Sequence, residues 1–239
     1  MKVMDRRRIV LVGLSCMLLA AAGCRAPGKP GPEPEVVRPE EVTDFATLYK
    51  ENCAACHGIE GWHGNAVSLA NPVYLALAGR DVLIHAITKG GPGALMPAFA
   101  KSQGGTLTDR QIEILADGIV QHWGRKGLLD GQNQPAYEAT VQGDAVNGQT
   151  AFATYCARCH RDAGPSGQVN VAGPVTNPSY LALISDQGLR STILSGRPDD
   201  GMPDWRGFGE RPLTDQQVTD IVAWLATQRR AVSEHANAK

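Results

Sequence analysis

The clearest apolar stripe follows Thr108, where Ile112, Leu115 and Ile119 recur at three- and four-residue spacing; a second, Val218, Ile221, Val222 and Leu225, follows Thr214. Each opens on a capping box, Thr108-x-x-Gln111 and Thr214-x-x-Gln217, which satisfies free N–H groups of a first helical turn. Both stripes therefore predict helices, with Trp123 and Trp224 near their ends. Upstream, Phe45 and Tyr49 supply the apolar side of one helix, Phe152 and Tyr155 that of another. Asn71-Pro72 and Asn177-Pro178 each start a short helix, asparagine as the cap and proline in the first turn. A further helix over about 81–89 is stopped by Gly90-Gly91-Pro92, and its counterpart by Gly196-Arg197-Pro198. Strand-type valine and isoleucine runs are scarce outside the N-terminus, so the pattern predicts an all-α protein.

The two blocks are copies of one unit. The pairs Asn71/Asn177, Met96/Met202 and Thr108/Thr214, each inside a matching run, are all 106 residues apart. Cys53-Ala54-Ala55-Cys56-His57 and Cys156-Ala157-Arg158-Cys159-His160 are 103 apart, so the second copy carries a three-residue loop insertion after this motif. Residues 124–147 are polar and poorly periodic. The organisation predicted is a signal peptide over 1–23, an attachment cysteine and Pro-rich linker over 24–42, a domain over 43–125, an interdomain linker over 126–139, a second domain over 140–231 and a tail over 232–239.

Lys2, Arg6, Arg7 and Arg8 precede an apolar run over residues 9–22, which suits a signal peptide and falls short of the ~20 residues of a spanning helix. The run ends Ala21-Ala22-Gly23-Cys24, which resembles a bacterial lipobox with Cys24 as the acylated residue; an uncleaved anchor or ordinary signal cleavage are the alternatives. Pro27, Pro30, Pro32, Pro34 and Pro39 then make a semi-stiff spacer that would hold a folded body off the membrane.

Net charge is −1, so nothing draws in nucleic acid. Two cysteines, two residues apart and followed at once by histidine, form the attachment pattern of a c-type haem: the thiols meet two porphyrin vinyl groups and the histidine falls under the iron. A zinc or redox CxxC shares the spacing, but two copies with matching downstream features favour haem. Of six cysteines, only Cys16 and Cys24 lie outside the motifs, and both fall at the leader. The thioether bonds are thus assigned to Cys53, Cys56, Cys156 and Cys159, and the proximal iron ligands to His57 and His160. Of five methionines only Met96 and Met202 lie beyond the leader, one per motif, each between helices and before proline. That is a ligand count, with core packing as the alternative. A thioether closing the sixth position raises the reduction potential and leaves substrates nowhere to bind. Arg80, Tyr74 and Tyr180 are candidate donors to haem propionates, the tyrosines equally candidates for packing. His63, His85, His122 and His235 read as surface residues.

Residues 43–125 and 140–231 resemble class I cytochrome c domains, on CAACH with Met96-Pro97 and CARCH with Met202-Pro203 in the helix order above. The resemblance implies an all-α fold of two tandem cytochrome c-like domains, each wrapped around a covalently attached haem, with two low-spin His/Met haem c irons and electron transfer. The whole resembles a diheme cytochrome c of the bacterial periplasm, and also the diheme subunit of cbb-type oxidases. That family often orients the proximal histidine with a proline carbonyl; the second repeat offers Gly173-Pro174, the first Val67-Ser68.

The function expected is a lipid-anchored carrier on the periplasmic side of a bacterial membrane, passing single electrons between a quinol-oxidising complex and a terminal oxidase. The alternative is a fixed electron-transfer subunit of a larger oxidase or quinol-oxidising complex. A diheme peroxidase or thiosulfate-oxidising enzyme needs an open distal site, against which the two methionines argue. No catalytic residue and no small-molecule substrate is expected.

Overall fold

The structure is a computed structural model that describes residues 37–91, 93, 95–160, 172, 173, 175–208 and 211–236, with side chains through Arg229. The chain divides into two compact units, Met1–Pro39 and Glu40–Lys239. Most of the first, with the predicted leader and Cys24, lies outside the described residues; the second holds both repeats.

The described residues form helices and no strand, only isolated bridges at Ala100–Leu107 and Arg197–Met202. In the first repeat these are α1 (Phe45–Asn52), α2 (Ala54–His57), α3 (Pro72–Lys89) and α4 (Asp109–Trp123). In the second they are α5 (Ala145–Tyr155), α6 (Ala157–His160), α7 (Pro178–Leu183), α8 (Asp186–Ser195) and α9 (Asp215–Ala236). Helix α3 is two helices joined at a kink: Gly79, at φ 71°, breaks it where the second repeat separates α7 from α8. Asn71 and Asn177 cap as their sequence predicts, each Oδ1 accepting from two backbone N–H groups. Both capping boxes are formed.

Each repeat closes around its own apolar cluster: Leu48, Tyr49, Leu75, Ile112, Leu115 and Ile119 in the first, Phe152, Leu181, Leu194, Val218, Ile221 and Leu225 in the second. In both, the helix entering the CxxCH motif crosses the last helix, but large and small residues trade sides. A Cβ on Gly118 would meet the Phe45 ring at 2.1 Å; in the second repeat Gly148 stands at the position of Phe45 and Trp224 at that of Gly118, and a Cβ on Gly148 would meet the Asp220 carbonyl oxygen at 1.9 Å.

The polar stretch between the repeats is more ordered than its composition suggests. Helix α5 starts at Ala145, inside it, because Asp144 caps the N–H groups of Val146 and Asn147. The carbonyls of Ala136 and Tyr137 clasp Arg190, which is 2% exposed and also bonds Thr219 and Asp215.

Candidate functional site

Each CxxCH motif is a single turn at the end of a helix. The Cys53 N–H donates to Tyr49 O at 2.8 Å and the His57 N–H to Cys53 O at 3.0 Å; Cys156 and His160 repeat the arrangement at 2.9 and 3.0 Å. The turn gives every motif an inner and an outer thiol. Cys53 and Cys156 are drawn into the protein, Cys56 and Cys159 are exposed, and none is paired in a disulfide. Burial, with the neighbouring Cys56, pushes the Cys53 thiol up to about 12, and Cys156 with Cys159 behaves alike. A redox or zinc CxxC needs an accessible thiolate, which these surroundings disfavour. Among the described residues no three His, Cys, Asp or Glu side chains gather as a zinc site would require.

The histidine rings are oriented from behind. His57 Nδ1 lies 2.8 Å from the Val67 carbonyl oxygen. That oxygen carries no proton, so Nδ1 holds the hydrogen and donates it, leaving the Nε2 lone pair free for a metal. Burial lowers the proton affinity of His57, with the Val67 bond opposing, which keeps the ring neutral as a ligand must be. His160 Nδ1 makes the same bond to Gly173 O at 3.3 Å. Val67 and Gly173 stand at one position of the repeat, four residues before the asparagine cap. The orienting carbonyl is thus that of the residue before the Pro174 position; a proline there is not required, and the first repeat has Ser68. The Tyr49 hydroxyl adds a tie, donating to Gly58 O at 2.9 Å just past His57.

Both methionines sit in loops pinned from the preceding helix end. Gly91 N–H donates to Met96 O and Arg197 N–H to Met202 O, each at 3.0 Å and at matching positions. Met96 packs against the same core as Cys53 and Val67. Met202 lines a cavity of about 640 Å³ between the repeats with Trp62, Asn71 and Val73. Neither lies on a helix, where a methionine placed for packing would be expected.

The donor set, imidazole Nε2 and thioether sulfur beside paired thiols, fits a c-type haem in each repeat. A further observation agrees: Trp205, three residues after Met202, is 3% exposed, and its buried Nε1–H has no hydrogen-bond partner. A haem propionate would satisfy such a donor. The motifs do not point to it, since Phe99 holds the position in the first repeat. Arg80 has another partner, its Nε and Nη2 both donating to Asp117. The pair is 2.6 Å apart; in the second repeat Asp186 holds the position of Arg80 and pairs instead with Arg229 at 2.8 Å. Tyr74 is buried with its ring against Tyr137, while Tyr180 is 41% exposed. The side chains of His63, His85 and His122 are exposed, as expected of surface residues; that of His235 lies outside the described residues.

The family cytochrome C oxidase, cbb3-type, subunit III matches residues 40–117 and 143–225. The chain is 27% identical over 212 residues to the Cbb3-type cytochrome c oxidase subunit CcoP of Azospirillum sp. (strain B510), covering 80% of this chain and 65% of that protein. It is 27% identical over 179 residues to the subunit FixP of Bradyrhizobium diazoefficiens, covering 67% and 53%. It is also 27% identical over 164 residues to the fructose dehydrogenase cytochrome subunit of Gluconobacter japonicus, covering 64% and 29%. The chain thus spans less than two thirds of the length of each of these relatives.

Proposed function

Because the chain belongs to the family of cytochrome c oxidase, cbb3-type, subunit III, and carries two c-type haems, we propose that it delivers single electrons to a terminal oxidase as its electron-transfer subunit. The observation that carries this reading is the repetition of one ligand set. Cys53, Cys56 and His57 with Met96, and Cys156, Cys159 and His160 with Met202, serve the two irons. When bound, each haem supplies one-electron chemistry between ferric and ferrous iron. The protein supplies position: Val67 and Gly173 orient the imidazole rings, and the pinned loops would offer the Met96 and Met202 sulfurs as the second ligands. With a histidine and a methionine serving each iron, a bound haem would have no position left for a substrate, and the chain acts as an electron carrier rather than as an enzyme.

Acylated Cys24 anchors the chain at the periplasmic side of a bacterial membrane, and residues 24–42 space the domains from it. Among the described residues no helix is long and apolar enough to cross a membrane. The anchor and the Pro-rich spacer equally suit a second reading, a carrier exchanging between a quinol-oxidising complex and the oxidase. Purification in mild detergent with a haem count and an optical redox titration tests both. Two low-spin haems per chain in a complex that survives purification support the subunit; two in a freely exchanging monomer support the carrier. A single haem, or a five-coordinate one at rest, overturns the assignment.

A further inference from the structure

The loop that carries Met202 and the loop that orients His57 meet across the two repeats at one side chain. Asp199, three residues before Met202, accepts from the Ser68 hydroxyl at 3.0 Å and from the His63 backbone N–H at 3.1 Å, both through Oδ2. Ser68 directly follows Val67, whose carbonyl takes the His57 Nδ1–H. On its own side Asp199 lies in the 3-10 turn Pro198–Asp200, closed by the paired backbones of Arg197 and Met202.

The surroundings hold this joint in register. Arg197 Nη2 donates to Gly64 O at 3.3 Å, while its Nε donates to Asp200 at 2.5 Å. Asn71 Nδ2 donates to Ser195 O at 2.8 Å, inside the protein. His63 takes a left-handed backbone, φ 59°, a conformation unfavourable for a non-glycine residue, and its N–H meets Asp199. In the first repeat the position of Asp199 is taken by Gly93, so the connection runs one way, from the second methionine loop to the first histidine loop.

The geometry points to Asp199 as a positioning residue for both iron sites. It fixes the loop that brings Met202 to one iron and, through Ser68 and Val67, the ring that His57 offers to the other. The strength of an Nδ1–H bond tunes imidazole as a ligand, and the hold on the thioether tunes the opposite face, so the two reduction potentials are set jointly. A change in the joint itself, at Asp199 or Ser68, is therefore felt at both centres, whereas loss of an iron ligand displaces chiefly its own. This inference rests on the two-haem reading above.

The test uses the full-length, haem-loaded protein with Asp199→Ala, Asp199→Asn and Ser68→Ala. Redox titration gives two midpoints, assigned with Met96→Ala and Met202→Ala, each of which displaces one. Asp199→Ala is expected to change the ferric-to-ferrous ratio of both centres about fivefold or more at fixed ambient potential. Ser68→Ala, a lost hydroxyl in the first repeat, is expected to move the Met202 centre too. Asp199→Asn keeps an acceptor oxygen and should preserve the coupling while losing the charge. If Asp199→Ala moves only the Met202 centre, or Ser68→Ala leaves that centre unchanged, the inference fails while the two-haem reading stands. A haem count other than two overturns that reading instead.

Discussion

Gly90 stands so close to Met96 that a Cβ on it would meet the methionine's carbonyl oxygen at 2.7 Å, and Gly196 repeats the approach to Met202 at 2.6 Å. Both glycines also have positive φ, 89° and 67°, so any side chain there adds backbone strain of ~1–3 kcal/mol to the collision. Gly90→Ala is therefore expected to push Met96 off its iron, leaving the second centre intact. Carbon monoxide binding by the reduced protein checks this: one haem per chain should bind it in the variant and none in the parent.

Met96→Ala removes the sulfur and keeps the backbone bond from the Gly91 N–H that pins the loop. The centre it serves should become open, and its reduction potential should fall, because a soft neutral thioether favours ferrous iron. The midpoint of the other centre should stay nearly where it was. A redox titration in which neither midpoint moves would remove Met96 from the ligand set.

The helix order, caps, core stripes and haem motifs of this fold were all legible in the sequence, because each is local: a CxxCH turn, an Asn-Pro start and a capping box need only their own residues. What stayed hidden depends on partners distant along the chain. Alignment with Gly173-Pro174 marked Val67-Ser68 as the place, but not that the carbonyl before the proline position, that of Val67, is the one that meets His57. The exchange of Phe45 and Gly118 for Gly148 and Trp224 looks like divergence between the repeats until the helix crossing is seen to need one large and one small residue. Arg80 looked free for a propionate because Asp117 lies a helix away. Asp199 gave no signal at all, having no acidic counterpart in the first repeat.

Arg190 illustrates the same point with a measurable cost. It is buried, its guanidinium bonded to Thr219, Asp215 and the linker carbonyls of Ala136 and Tyr137. Arg190→Met would keep the apolar stem but leave these acceptors unpaired, Asp215 being 27% exposed and so partly rescued by water. A loss of about 2–3 kcal/mol is expected. Denaturant unfolding should show it in the second repeat, with the first little affected.

Each repeat has a core too small to be robust alone, a domain of this size burying barely enough surface to fold. A porphyrin attached at the CxxCH motif would supply the missing apolar body. Protein produced without haem attachment, through Cys53→Ala with Cys56→Ala, should lose much of the first repeat's helicity while the second retains its own. Far-UV circular dichroism checks this; an undiminished spectrum would show that the polypeptide core suffices.

Asp199 gives the joint between the repeats a defined acid limit. Partial burial alone would push its carboxyl up, but the His63 N–H, the Ser68 hydroxyl and the nearby Arg197 outweigh this and leave it below the ordinary value of 3.8. A carboxyl whose folded value lies below its unfolded one binds fewer protons when folded, so its stabilising effect is complete above about pH 4 and disappears as pH falls through the folded value. The joint should therefore be indifferent to pH between 5 and 8 and weaken only in stronger acid. Asp199→Asn should abolish that acid dependence, since an amide does not titrate. Thermal unfolding followed from pH 7 down to pH 3, parent against variant, checks the sign: the two curves should converge as acid protonates the parent's carboxyl, and a gap that widened instead would rule this account out.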